Sequence, residues 1–215
     1  MYPKISVNLG NLILSLSDAL DLAFSSLAMH QQRTAFIAWE LGKQAKLEEN
    51  RIEHIFIAGL LHDLGKLVIP NAILEKPAGL THAEMAVMKQ HTYYTFTVLS
   101  TIGGLKMIAE WAAYHHERLD GKGYPFKRNA HEMTLGARIM AVSDIFTAVA
   151  EDRPYRNGMP AERIKTILQN QADGGIQDAR IVKLLLENID EIRRSVMEEQ
   201  KQARQYYESA VTEIK

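Results

Sequence analysis

The sequence predicts an all-α fold, and three observations predict it. Apolar residues recur at helical spacing almost throughout the 215 residues, no run of four or more alternating positions asks to be a strand, and clusters of Gly and Pro separate the periodic segments. The length suits one large domain, or one domain with appendages. The breakers are Pro70 and Pro77, the pair Gly103 and Gly104, the cluster Gly121, Gly123 and Pro125, then Pro154 and Pro160, then Gly174 and Gly175.

Taken in order, the first helix spans Asn11 to Phe24, its apolar residues interrupted by Asp18 and Asp21, and a second runs from His30 to Ala45. A third covers Asn50 to Leu64, with Ile52, Ile55, Phe56 and Gly59 on its inward face. Periodicity then predicts His82 to Ser100 as a single helix, Leu105 to Glu117 with Leu105, Ile108 and Ala112 inward, and Met133 to Ala150. Two shorter helices, Ala161 to Gln169 and Asp178 to Leu186, lie between the last breakers. From Asn188 onward a stripe of Ile189, Ile192, Val196, Ala203, Tyr207, Ala210 and Ile214 suits packing against the same domain or a homodimer. The expected organisation is an N-terminal helix in 1–29, a main domain in 30–187 and a C-terminal helix in 188–215.

Composition excludes several classes. A formal net charge of −1 leaves no global basic field to steer the chain onto polymeric nucleic acid or anionic lipid, so any nucleotide must be held locally. The absence of cysteine excludes disulfides, zinc thiolates and thiol nucleophiles, and fits a reducing cytoplasm. Met1 to Ile5 carries one Lys and does not read as a signal peptide, and no apolar run approaches the roughly 20 residues of a membrane span. The expectation is a cytoplasmic protein without a membrane partner. Eight histidines in a Cys-free chain call for a placement.

Gly59-Leu60-Leu61-His62-Asp63-Leu64-Gly65-Lys66 places an adjacent His-Asp pair at the end of an apolar helix. Consecutive helical residues point roughly 100° apart, so such a pair serves two neighbouring sites, the imidazole binding one metal and the carboxylate bridging to a second. His115 and His116 continue the apolar face of Ile108 and Ala112. Two buried imidazoles side by side are costly unless their nitrogens are satisfied, which a divalent cation does. Asp144 shares a face with Ala137, Met140, Ala141 and Ala148 and has no Lys or Arg one turn away, so a metal is its economical partner. His30 and His91 give weaker signals, and His54, His82 and His131 read as surface or loop histidines. Together His30, His62, Asp63, His91, His115, His116 and Asp144 suffice for two divalent metals with open positions. The mixed nitrogen and oxygen set favours Fe or Mn, ahead of Ni or Zn. Two ions about 3.5 to 4 Å apart activate a bridging hydroxide for in-line attack on a phosphodiester.

The order His30, His62-Asp63 with Gly65-Lys66, His91, His115-His116-Glu117-Arg118-Leu119-Asp120-Gly121-Lys122-Gly123-Tyr124-Pro125 and Asp144 resembles the HD-GYP family of the HD phosphohydrolase superfamily. The resemblance runs from about His30 to Arg156, and its H-H-E-x-x-D-G-x-G-Y-P segment is highly specific. It implies a helical bundle with a metal centre in the core that hydrolyses cyclic di-GMP to pGpG, and in some members on to GMP. It also implies that His30, His62, Asp63 and Asp144 hold a first metal and Asp63, His91, His115 and His116 a second, with Asp63 bridging. Asp63 and Lys66 are then the catalytic pair, the Lys66 ammonium facing a phosphoryl oxygen. Gly121 and Gly123 permit close backbone approach, and Tyr124 faces a phosphate or a guanine. Arg153 and Arg156, in Arg153-Pro154-Tyr155-Arg156, resemble the family's phosphate-contacting segment; with Lys66, Gly123 and Tyr124 they complete the expected substrate contacts.

Two positions depart from the family pattern. Members with three metals carry a Glu four residues before the first ligand His, where this chain has Ser26, which argues for two metals. Gly175-Ile176-Gln177-Asp178-Ala179 departs from an aromatic-Asp-Pro pattern. The implied partners are cyclic di-GMP and a diguanylate cyclase or an upstream sensor domain. The alternatives are hydrolysis of another cyclic dinucleotide such as cGAMP, and a non-catalytic module that senses cyclic di-GMP or docks onto a cyclase.

Overall fold

The computed structural model describes residues 8–23, 29–151, 158–194 and Glu198, and among them the fold is all-α, with one isolated bridge between Asp120 and Asn129. Its helices are α1 (Leu9–Ala23), α2 (His30–Gln44), α3 (Glu49–Leu61), α4 (Asn71–Leu74), α5 (His82–Met88), α6 (Gln90–Ser100), α7 (Lys106–Ala113), α8 (Leu135–Ala150), α9 (Ala161–Asp173) and α10 (Ala179–Glu187). Short 3-10 turns follow α3 at Leu64–Val68 and α7 at Tyr114–His116. No helix among the described residues is long and apolar enough to cross a membrane.

The core lies between α2, α3, α7 and α8. Small residues on α2, Ala35 and Ala38, bring that helix close to α3 and α8, while Leu41, Ile55, Ile108, Trp111, Met140 and Phe146 fill the space between them. Burying each large side chain contributes roughly 1.5 to 3 kcal/mol, so these helices form a rigid frame. The buried Trp111 indole donates to Thr134 Oγ1 at 2.8 Å, so it brings no unsatisfied N–H into the core. α9 and α10 close one side through Ile164, Leu168, Ile181 and Leu185. Residues 189–194 continue as helix with Ile189 and Ile192 buried in the same core, and the rest of the terminal stripe, from Val196 on, lies outside the described residues.

The helix expected over Ala161 to Gln169 runs on to Asp173, and the one expected from Met133 starts at Leu135; three other predicted helices end or break early, for one shared reason. His62, His91 and His115 each turn Nδ1 onto the main-chain carbonyl three residues earlier: Gly59 at 2.7 Å, Met88 at 2.7 Å and Ala112 at 2.6 Å. A side-chain donor on a helical carbonyl competes with the backbone ladder and also satisfies a carbonyl orphaned at a helix end. α3 therefore stops at Leu61 and α7 at Ala113, each passing into a 3-10 turn, and the predicted helix from His82 to Ser100 divides at Lys89. The single turn α4 is too short to register as periodicity. α5 has a sequence-visible start, a capping box in which Thr81 Oγ1 accepts from Glu84 N and Glu84 accepts from Thr81 N.

Candidate metal centre

The seven expected side chains converge on one buried locus where α2, α3, α6, α7 and α8 meet. His30, His62, Asp63, His91, His115 and Asp144 are buried, and His116 is partly exposed at the edge. Asp63 stands in the middle. Its Oδ1 lies 3.5 Å from His91 Nε2 and 3.9 Å from His115 Nε2. Its Oδ2 lies 3.5 Å from His62 Nε2 and 3.9 Å from His30 Nε2. Asp144 Oδ1 is 3.3 Å from His30 Nε2 and 3.6 Å from His62 Nε2, and its Oδ2 is 3.8 Å from His116 Nδ1. Ligand atoms of His30, His62 and Asp144, of His91, His115 and His116, and of His62, Asp63 and His115 lie within 4.8 Å of one another in each group, as sharing a cation requires.

The donor chemistry fits a cation. With Nδ1–H committed to a carbonyl, each of His62, His91 and His115 directs an Nε2 lone pair inward. The Nε2 atoms of His91 and His115 face each other at 3.3 Å, where two lone pairs repel, and His62 Nε2 is buried without a hydrogen-bond partner. Divalent ions held by these groups would satisfy all three. Electrostatics agrees. Burial pushes His91 down to about 3 and also lowers His115 and His116, so these rings are neutral at neutral pH. Burial alone would raise the Asp63 and Asp144 carboxyls. Lys66 and the surrounding imidazoles outweigh it at Asp63, the close approach of His30 and His62 outweighs it at Asp144, and both are held well below the usual carboxylate range.

The turn that carries Asp63 and Lys66 is fastened to α6. Gly65 N donates to Thr95 Oγ1 at 2.9 Å, and that hydroxyl donates to His62 O at 3.0 Å. Thr95→Val keeps the shape and removes both buried bonds, so it is expected to lower stability by about 2 to 4 kcal/mol; an unchanged urea midpoint would show that the turn is held by packing alone.

Around the centre, a cavity of about 550 Å³ lies within the range of small-molecule sites. Asp63, His116 and Asp144 of the centre line it, together with Lys66 and Tyr124 and, from the segment around α4, Leu74, Lys76 and Leu80. Lys66 Nζ donates to Asp63 Oδ2 at 2.5 Å, so its ammonium sits beside the centre. The Tyr124 ring stacks near His116, centroids 4.8 Å apart, and Lys89 Nζ lies 5.1 Å from the centre of the Tyr124 ring. Gly123 does not line the cavity. It is buried, and a Cβ there would meet Arg118 N and Glu117 Cα at 2.5 Å, so its part is to let the loop fold back on itself. Gly121 takes the positive φ, 72°.

Arg153, Arg156 and Ser26 lie outside the described residues. Sequence reasoning assigned no role to three residues that shape the site. Glu117, fully buried, accepts from Phe126 N at 2.7 Å and Arg128 N at 2.9 Å and so shapes the loop that presents Tyr124. Thr95 follows His91 by one helical turn, and Glu151 follows Asp144 by two; that shared-face spacing was the available signal. His82 and His131 are exposed and His54 is half-buried, all three away from the centre.

Comparison with known proteins gives concordant matches. The pattern that defines the HD domain family matches residues 15–181. A 3'3'-cGAMP-specific phosphodiesterase 1 of Vibrio cholerae is 30% identical over 184 residues, 86% of this chain and 39% of the relative. A cyclic di-GMP phosphodiesterase of Thermotoga maritima is 39% identical over 135 residues, 62% of this chain and 37% of the relative. The chain thus spans well under half the length of these relatives. The crystal structure of a cyclic GMP-AMP specific phosphodiesterase of V. cholerae superposes with a TM-score of 0.63 at 19% identity, over 87% of this chain and 50% of that one, which shows a shared fold.

Proposed function

The chain belongs to the HD domain family and carries the motif of its HD-GYP branch, and from that premise we propose that it is a metal-dependent phosphodiesterase that opens cyclic di-GMP to linear pGpG in the cytoplasm. The observation that carries the reading is the inward set of lone pairs on His62, His91 and His115 around Asp63, opening onto a cavity of ligand size. His30, His62, Asp63 and Asp144 would hold one ion and Asp63, His91, His115 and His116 the other, Fe or Mn by donor type. When bound, such ions supply a nucleophile from water at neutral pH and offset the charge of the phosphodiester.

The chain's own residues orient the reaction. Asp63 belongs to both ligand groups and fixes their separation. Lys66 and Tyr124 line the cavity, and Lys66 meets a non-bridging phosphoryl oxygen. Water adds at phosphorus, the P–O3′ bond breaks, and the 3′-oxygen takes a proton from solvent. Arg153 and Arg156 are proposed to grip the second phosphate, which a generic ester lacks.

Chromatography of products from cyclic di-GMP, 3'3'-cGAMP and bis-(p-nitrophenyl) phosphate, with Mn(II)- or Fe(II)-loaded protein, tests this. Turnover of cyclic di-GMP is expected. A charge-assisted bond to phosphate contributes about 1.5 to 3 kcal/mol, so Arg153→Ala and Arg156→Ala should each lower it roughly 10- to 150-fold while leaving the generic ester within a few-fold. Equal losses on both substrates would assign the arginines to the fold. Faster turnover of cGAMP would favour the second reading, which the 30% identity to a cGAMP-specific relative supports. Binding without turnover would make the chain a sensing module.

A further inference from the structure

His62, His91 and His115 orient their rings through main-chain carbonyls, whereas His30 does so through a charge. Its Nδ1 lies 3.1 Å from both carboxylate oxygens of Glu151, the residue that follows α8. Its Nε2 lies 3.3 Å from Asp144 Oδ1, on α8 itself. α8 and the residue that caps it thus hold both nitrogens of the ring. Glu151 is buried, with its side chain 4% exposed, and Arg33, one turn along α2 from His30, approaches its Oε2 at 3.7 Å. Burying a carboxylate there is unfavourable without such partners, and a neutral acceptor would suffice if only packing mattered.

We infer that Glu151 is a positioning residue for the ion held by His30: its carboxylate accepts from Nδ1–H, fixes the tautomer that turns Nε2 toward Asp63 and Asp144, and makes this imidazole a stronger donor than the three bound to carbonyls. The two ion positions are therefore unequal, and Glu151 acts on one of them. This rests on the proposed reading that the centre holds two divalent ions.

Manganese(II) binding to the full chain, followed by loss of the free-ion electron paramagnetic resonance signal, reads the effect without turnover. The unaltered protein is expected to take up two ions. Glu151→Ala should keep one at native affinity and weaken the other 10- to 100-fold. Glu151→Gln retains an oxygen that accepts from Nδ1–H and should lose less than Glu151→Ala. Urea unfolding of each metal-free variant separates positioning from support of the fold. Two ions at native affinity in Glu151→Ala would overturn the inference, as would equal weakening of both ions in step with a fall in metal-free stability. If the unaltered protein bound no manganese, the two-ion reading would fall and this inference with it.

Discussion

Asp63→Ala is expected to release both of the proposed ions and to lower the proposed phosphodiester hydrolysis by three orders of magnitude or more, about 4 kcal/mol in the barrier. Asp144 lies nearest His30 and His62, and its second oxygen only skirts His116 at 3.8 Å. Asp63 turns one oxygen toward His91 and His115 and the other toward His62 and His30, so it stands between four imidazoles. Its removal also leaves the Lys66 ammonium, now 2.5 Å from Oδ2, without its counter-charge beside the cation positions. Asp144→Ala provides the contrast. Asp144 approaches His30 and His62 most closely, so its loss should cost one ion and leave the other with His91, His115 and His116. Metal analysis after gel filtration distinguishes the two variants. Retention of two ions by Asp63→Ala would refute a shared carboxylate.

How much of this was legible in the sequence depended on the range of the interactions. The His115-His116 doublet and Asp144 were readable because each extends an apolar helical face, and a polar group on such a face needs a partner. His62-Asp63 was readable for the same reason and by motif. The helix ends were not. Their positions depend on whether a histidine Nδ1 takes the carbonyl three residues back, and periodicity carries no information about ring orientation. Glu151 was harder still, because its partner His30 lies 121 residues away, and a Glu just past a helix reads as solvated until the structure buries it. The cavity wall formed by Leu74, Lys76 and Leu80 has no motif at all; it exists because α4 and the loop after it fold over the centre.

Gly65→Ala is expected to cost about 3 kcal/mol of stability and to weaken manganese binding at least tenfold. A Cβ at Gly65 would run into the main-chain carbonyl oxygen of His91 and would lie 2.8 Å from Thr95 N, so the clash is with backbone that no rotamer change can move aside. Overpacking of a well-filled interior typically costs 1 to 3 kcal/mol, and a contact with backbone belongs at the upper end. The turn Leu64–Val68 would have to withdraw from α6, stretching the bond from Gly65 N to Thr95 Oγ1. That withdrawal separates Asp63 and Lys66, at the head of the turn, from His91, on α6, and a misplacement of about 1 Å at a reacting site is sufficient for losses on the order of 100-fold. Thr95→Val removes the same bond without forcing the two backbones apart, so it should lower stability while leaving the metal affinity closer to native. Urea unfolding and manganese titration of the two variants side by side separate the effects. If Gly65→Ala bound manganese as tightly as the unaltered protein, the close approach of this turn to α6 would not be what holds Asp63 in register with His91.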